Sequence, residues 1–189
     1  DLCNVVLHDG DRRKSWATAQ QLVCGSDEVS EARLALNEGS EGGWVADVLK
    51  EPVSFVDVPP SATQSARNVN EATVVATLVD ALHARGLDLR EVAVLTPFRA
   101  QLRELKRLLP SDVELSTVDR FQGKDAACVL VSFARADASS GLLADPRRLN
   151  VALSRARRML ILVGAREALA SASPLFTRLV GAVPVVVAS

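Results

Sequence analysis

Apolar and polar positions alternate along this chain with two different periods, and the switching between them predicts its elements. Short, nearly unbroken apolar runs at 53–58, 91–95, 113–116, 127–133 and 159–163 read as strands buried on both faces, with 183–187 as a last short one. Between them, apolar residues recur every three or four positions, the spacing of one helical face. This holds for 70–85, closed by Gly86, and for 97–109, where Phe98, Leu102, Leu105 and Leu109 form a stripe. A further helix is expected at 146–157, with helical turns near Glu167 and Pro174. Strands alternating with helices predict an α/β fold: a mostly parallel sheet with helices on both faces. The stretches 39–43 and 59–66 read as loops and neither as a domain linker, so the chain of 189 residues, 48% hydrophobic, is expected to form a single domain with a substantial core.

Three polar segments break this pattern at places where chemistry can sit. Thr96 and Pro97 follow the strand at 91–95; Thr96 suits an N-cap and Pro97 a first helical turn, whose free amides and positive dipole end can hold a phosphate. Pro110 ends that helix. The second segment, Ser116-Thr117-Val118-Asp119-Arg120-Phe121-Gln122-Gly123-Lys124-Asp125, feeds the apolar run after it. Gly123 allows a backbone turn or the close approach of a ligand, and a plain polar turn is the alternative. The third runs from Asp145 to Arg157. At about 100° per residue, Leu149, Leu153 and Ala156 share one face, while Arg148 and Arg155 point together from its neighbour, flanking Ala152. Paired guanidiniums suit phosphate, and the alternative is a surface helix with solvated arginines. Strand ends are where open α/β sheets gather ligands, so Thr96, Thr117 and the loop after 113–116 are expected at the carboxyl ends.

In order and spacing these blocks resemble motifs IV, V and VI of the second RecA-like domain of superfamily 1B helicases, over residues 68–165. Within that superfamily, the segment Leu22-Val23-Cys24-Gly25-Ser26-Asp27-Glu28-Val29, the triplet Gly123-Lys124-Asp125 and the run Val131-Ser132-Phe133-Ala134-Arg135 look most like the eukaryotic DNA replication ATP-dependent helicase/nucleases, which process Okazaki-fragment flaps. RNA-directed relatives usually carry glutamate where this chain has Asp125. The chain departs mildly from the pattern at Lys124, Ser154 and Pro146, where arginine, threonine and a bulkier residue are common. Apart from residues 24–26, the first 65 residues match poorly, with an insertion expected at 9–14, and no site is placed there.

The resemblance implies a motor. ATP would sit in a cleft between two RecA-like lobes, with Arg155 of this one reaching the γ-phosphate as a finger and Asp125 the ribose or adjacent backbone. Gln122 and Gly123 would line the cleft, and Arg148 would order its helix or assist at the γ-phosphate. Thr96, Arg99, Gln101 and Thr117 would hold single-stranded DNA. The chain has no G-x-x-x-x-G-K-[ST] segment, and Asp27-Glu28 does not follow a long apolar strand, so the fold lacks its own P-loop. Mg2+ and the phosphate cradle are therefore expected from the first lobe. The isolated chain is expected to be inactive, and the complete protein to be an ATP-dependent 5′-3′ DNA helicase. An iron-sulfur cluster belongs to the family's nuclease region, and Cys3, Cys24 and Cys128 supply no four-cysteine set for one here. Single-stranded or flap DNA, the first lobe, replication protein A and flap-processing enzymes are the implied partners, and the nucleus the implied location.

Composition narrows these expectations. A formal net charge of −1 excludes a global basic field, so nucleic-acid binding has to be local. Arg99, Arg103, Lys106 and Arg107 on the polar side of one helix either track a backbone or form a solvated face. Tyrosine is absent and aromatics are 4% of the chain, so aromatic base stacking is not advertised. An odd cysteine count without C-x-x-C spacing argues against a disulfide framework or zinc site, and fits a reducing compartment. His83 reads as a capping or surface residue. The chain starts at Asp1 and has neither a secretory signal nor a long apolar run, which reads as a soluble part of something longer, with no membrane partner. Two other functions stay open: an RNA helicase lobe of the same superfamily, and a non-catalytic nucleic-acid-binding or protein-docking module.

Overall fold

The computed structural model of the chain describes residues 43–60, 66–134 and 146–188. The segments 9–14 and 22–29, Arg135, and most of the loops at 39–43 and 59–66 lie outside the described residues. In chain order the elements are α1 (Trp44–Lys50), β1 (Val53–Asp57), α2 (Val69–Ala84), β2 (Val92–Thr96), α3 (Arg99–Leu108), β3 (Glu114–Thr117), β4 (Ala126–Ser132), α4 (Pro146–Leu153), β5 (Ala156–Gly164), α5 (Arg166–Ala172), α6 (Pro174–Ala182) and β6 (Val185–Val187). Single 3-10 turns at Leu89–Glu91 and Val118–Phe121 precede β2 and follow β3.

The strands form one parallel sheet in the order β3-β2-β4-β5-β1-β6. Every residue of β2 and β4 is buried, because a parallel sheet is covered on both faces. On one face Val94, Cys128, Leu130, Ile161 and Val163 meet α1, α2 and α3 through Val48, Val75, Leu78, Leu82 and Leu105. On the other, Phe55, Leu95, Val129, Val131, Leu160 and Leu162 meet the second 3-10 turn, α4, α5 and α6 through Phe121, Leu149, Leu153, Leu169 and Phe176. Phe133 and Phe176 cross edge to face at 5.0 Å. The Cys128 thiol lies in the first layer, and burial pushes its pKa upward, away from reactivity.

The expected strands are present within a few residues of their predicted bounds. Helix α2 matches the expectation at 70–85 to within a residue: Asn68 caps its start, accepting from the Glu71 amide at 3.2 Å. Its end is a Schellman turn, in which Gly86 takes φ +93° while Gly86 N–H donates to the His83 carbonyl and Leu87 N–H to that of Leu82. Helix α1 was not expected. It is seven residues long, too short to display a helical period against the glycine-rich stretch before it.

A buried polar network ties the carboxyl end of β4 to the starts of α2 and α3. Glu71 Oε2 accepts from the Ser132 hydroxyl and the Ala134 amide, both at 2.8 Å, while Oε1 accepts from the Asn68 side-chain amide at 3.1 Å. The Gln101 amide donates to the Asn68 carbonyl at 3.0 Å and to Ser132 Oγ at 3.1 Å, and Gln101 Oε1 accepts from Asn68 N–H at 2.7 Å. Ala134 has φ +54°, a conformation costing a non-glycine residue about 1–2 kcal/mol, and the carboxylate at its amide holds it there.

Removal from water raises the Glu71 pKa to about 7 from its ordinary 4.5, although its hydrogen bonds pull the other way. Between these values the folded chain binds more protons than the unfolded one, so stability falls as pH rises through that window and the fall is complete above about 7. Urea unfolding at about pH 5 and pH 8 should therefore show a stabler lobe at the lower pH, by on the order of 2 kcal/mol from this group alone. Glu71→Gln should flatten the difference; an unaltered pH dependence in that variant would mean that other groups set it.

Candidate nucleotide and nucleic-acid edges

Thr96 and Thr117 are paired neighbours at the carboxyl ends of β2 and β3, as the strand pattern predicted. Their surroundings differ. Thr96 is fully buried as the last residue of β2, and its Oγ1 accepts from the Phe98 amide at 3.4 Å. It is not the N-cap of α3, which starts two residues later than expected, with extended Phe98 in the cap position. The sheet ladder explains the shift, since Thr96 is held in register with Thr117 and the helix begins only after Pro97 and extended Phe98. Thr117 is half-buried, and its hydroxyl makes no hydrogen bond within the described residues. Arg99 is exposed in the first turn of α3, whereas Gln101, expected among the nucleic-acid contacts, is turned inward into the network with Asn68 and Ser132.

After Thr117 the chain reaches the next strand in eight residues. Because β3, β2 and β4 are parallel, residues 118–125 have to travel from the carboxyl edge of the sheet to its amino edge. They do so as a 3-10 turn pinned by buried Val118 and Phe121, followed by exposed Gln122, Gly123, Lys124 and Asp125. Only the start of this loop lies at the carboxyl end where the whole of it was expected. Its far end is fixed at the amino edge, where Lys124 Nζ contacts Glu114 Oε1 at 2.8 Å and the Ala126 amide donates to the Arg155 carbonyl at 3.1 Å. Gly123 takes φ +85°, with open space where a Cβ would lie.

Arg155 belongs to the same amino edge. The helix expected at 146–157 ends at Leu153, and Ala156 already pairs with Ala126 in β5. The sheet ladder outcompetes the helical period here, so Arg148 and Arg155 do not share a helix face. Arg148, on α4, approaches Asp119 of the 3-10 turn at 3.4 Å. Arg155 is half-buried in the turn after the helix, with Nη1 3.4 Å from the Lys124 carbonyl and Nη2 3.1 Å from Ser154 Oγ. Leu149 and Leu153 are buried on α4 as the stripe predicted, Ala152, expected on the neighbouring face between the arginines, is buried with them, and Ala156 is buried from the strand instead.

One residue of this edge escaped the sequence reading. Ala126 pairs with Ala156 but Cys128 with Met159, so β5 carries an extra residue in a bulge and both Arg157 and Arg158 face solvent. Arg157 bonds Glu91, before β2, and lies 3.7 Å from Asp125. The signal available was the Arg157-Arg158 doublet directly before an apolar run. The amino edge thus offers guanidinium donors, an exposed amide at Gln122 and a carboxylate at Asp125, a donor set that fits the terminal phosphate and sugar of a nucleotide. Among the described residues no cluster of three or more metal-ligating side chains occurs, so a metal's ligands are not read from these residues.

A family model described as an AAA domain matches residues 19–167. The chain belongs to that family. It is 35% identical over 184 residues to a DNA replication ATP-dependent helicase/nuclease of Arabidopsis thaliana and 38% identical over 187 residues to one of Mus musculus, alignments covering 89% and 84% of this chain. The chain spans only 13% and 18% of the lengths of those two relatives. An uncharacterized ATP-dependent helicase of Methanocaldococcus jannaschii is 39% identical over 127 residues, 62% of this chain and 19% of that protein. The crystal structure of the C-terminal domain of a possible DNA helicase from Lactobacillus plantarum superposes with a TM-score of 0.50 at 18% identity, covering 78% of this chain and 99% of that one. The fold of this AAA-family chain is α/β and RecA-like, the fold also found in that C-terminal domain.

The left-handed Gly123 gives a direct check on this loop. Gly123→Ala should lower stability by about 1–2 kcal/mol through backbone strain alone, read as a shift in urea midpoint, because no atom stands within 4 Å of the added methyl. An unmoved midpoint would show that the loop is free to leave this conformation.

Proposed function

We propose that this lobe is the second motor domain of an ATP-dependent DNA helicase/nuclease acting in replication and repair. The observation that carries the reading is the eight-residue crossover, which begins at the exposed end of β3 with Thr117 and finishes beside Arg155 with Gln122–Asp125. One short, packed segment joins a strand-end hydroxyl to a phosphate-binding edge, so displacement at either end is felt at the other.

In this reading ATP binds between the amino edge and a first lobe that carries the phosphate cradle and Mg2+, and its hydrolysis supplies the free energy for movement. Arg155 contributes its guanidinium to the γ-phosphate as a finger. Its hydrogen bonds to the Lys124 carbonyl and Ser154 hold the side chain beside the loop, which limits the reorganisation needed on lobe closure. Asp125 accepts from the ribose or neighbouring backbone, with Gln122 and Gly123 lining the same side. Arg148, engaged with Asp119, orders α4 against the crossover instead of reaching the phosphate. At the other edge Thr117 and Arg99 contact a DNA phosphate, while Thr96 and Gln101, both buried, shape the turn that presents them. Translocation with 5′-3′ polarity, location in the nucleus, and interaction with replication protein A and flap-processing enzymes belong to the same proposal, which rests for them on likeness to the relatives.

The test uses the full-length protein with and without single-stranded DNA. Arg155→Ala is expected to lower DNA-stimulated ATP turnover by about 10³- to 10⁵-fold while DNA binding persists. Thr117→Ala is expected to leave unstimulated turnover in place and weaken the stimulation by DNA. Near-normal stimulated turnover in Arg155→Ala would remove the finger assignment, and absence of turnover in the wild type under every condition would favour a docking module.

A further inference from the structure

A cleft of about 290 Å³ opens between α3 and the edge strand β3 at the carboxyl side of the sheet. It lies at the opposite edge from Arg155 and Asp125, so it is not part of the nucleotide edge described above. Arg99 and Arg103, one helical turn apart on α3, stand on one side, and Arg120 from the turn after β3 on the other. Half-buried Leu102 and Leu115 contribute an apolar floor, and Thr117, on the same face of β3 as Leu115, brings a hydroxyl to its rim.

Its charge is not neutralised. Arg90, Arg107, Arg148 and Arg157 each hold a carboxylate, but Arg99, Arg103 and Arg120 form no ion pair with any described residue. The first turn of α3 carries no acidic side chain and no side-chain cap, so its amide dipoles add to the same positive potential. In a chain with a net charge of −1, three unpaired guanidiniums around one cleft are a local demand for an anion. The size sits at the lower end of ligand pockets, about 300–1,000 Å³. An apolar floor between guanidinium planes also suits the flat face of a base, in a chain that offers few aromatic rings for stacking.

We infer that this cleft seats one nucleotide of the single DNA strand, its phosphate between Arg103 and Arg120 and its base on Leu102 and Leu115, beyond the phosphate held by Thr117 and Arg99. The inference rests on the motor-lobe reading and adds a subsite to it. A strand passing Thr117 would continue over the unpaired edge of β3, where no further strand of the described sheet blocks its path.

The test is binding of a fluorescein-labelled oligodeoxythymidine to the full-length protein from about 50 to 200 mM salt. Each phosphate neutralised on a single strand contributes about 0.7 to the slope of log affinity against log salt. The double variant Arg103→Ala/Arg120→Ala should lose about 0.7 of that slope and about tenfold in affinity. Lys106→Ala removes a charge from the same helix outside the cleft and should change neither. Arg103→Lys/Arg120→Lys should recover the slope but not the affinity, because an ammonium lacks the planar fork. A double alanine variant indistinguishable from Lys106→Ala would overturn the subsite; if Arg155→Ala and Thr117→Ala still behave as expected, the motor reading survives that loss. Failure of the wild type to bind the oligonucleotide at all would overturn both.

Discussion

A parallel strand can be entered only from its amino end, and the arrangement of this molecule follows from that constraint. Each time the chain leaves the carboxyl edge of the sheet it has to cross back before pairing again. Elsewhere a helix carries the return: α3 between β2 and β3, α4 before β5. Between β3 and β4 there is no helix of full length, only eight residues held down by Val118 and Phe121 against the same apolar layer that receives Leu149 and Leu153. The polar residues on either side of those two anchors are consequently pulled to opposite edges, Thr117 to one and Gln122–Asp125 to the other.

The Glu71 network does for the carboxyl edge what Phe121 does for the crossover. It binds the first turns of α2 and α3 and the last residues of β4 to one carboxylate, so that the turn through Thr96, Pro97 and Phe98 is fixed from below. Buried polar groups are costly unless satisfied, and here Asn68, Glu71, Gln101 and Ser132 satisfy one another. The arrangement trades some stability for a defined geometry at the surface, the same exchange that Ala134 makes with its left-handed backbone.

Much of this was legible in the residues. Apolar runs gave the strands and the 3.6-residue period gave α2 and most of α3, because burial on both faces of a parallel sheet leaves a strong imprint. What failed to show were the places where two local rules compete. The stripe Leu149, Leu153, Ala156 is a good helical period, yet Ala156 serves the sheet, and nothing in one sequence says that its partner is Ala126. Thr96 before Pro97 has the look of a cap, yet its ladder with Thr117 holds it in the strand. Gln101 reads as an exposed polar residue of an arginine-rich helix and is instead in the interior, because its partners Asn68 and Ser132 are some thirty positions away on either side. The arginines of the cleft were legible as a basic helix face; that Arg120 faces them across it depends on the fold.

Among the described residues strand β3 also has an unpaired side, an edge of the kind that can recruit a strand from another molecule. It is four residues long, and it is surrounded by Arg103, Arg120 and the Lys124–Glu114 pair. Long charged side chains beside a short border strand make it a poor template for intermolecular sheet growth. The same guanidiniums that would greet a polyanion thereby keep the lobe from sticking to its own copies, and substitutions that discharge this border put solubility at risk along with binding.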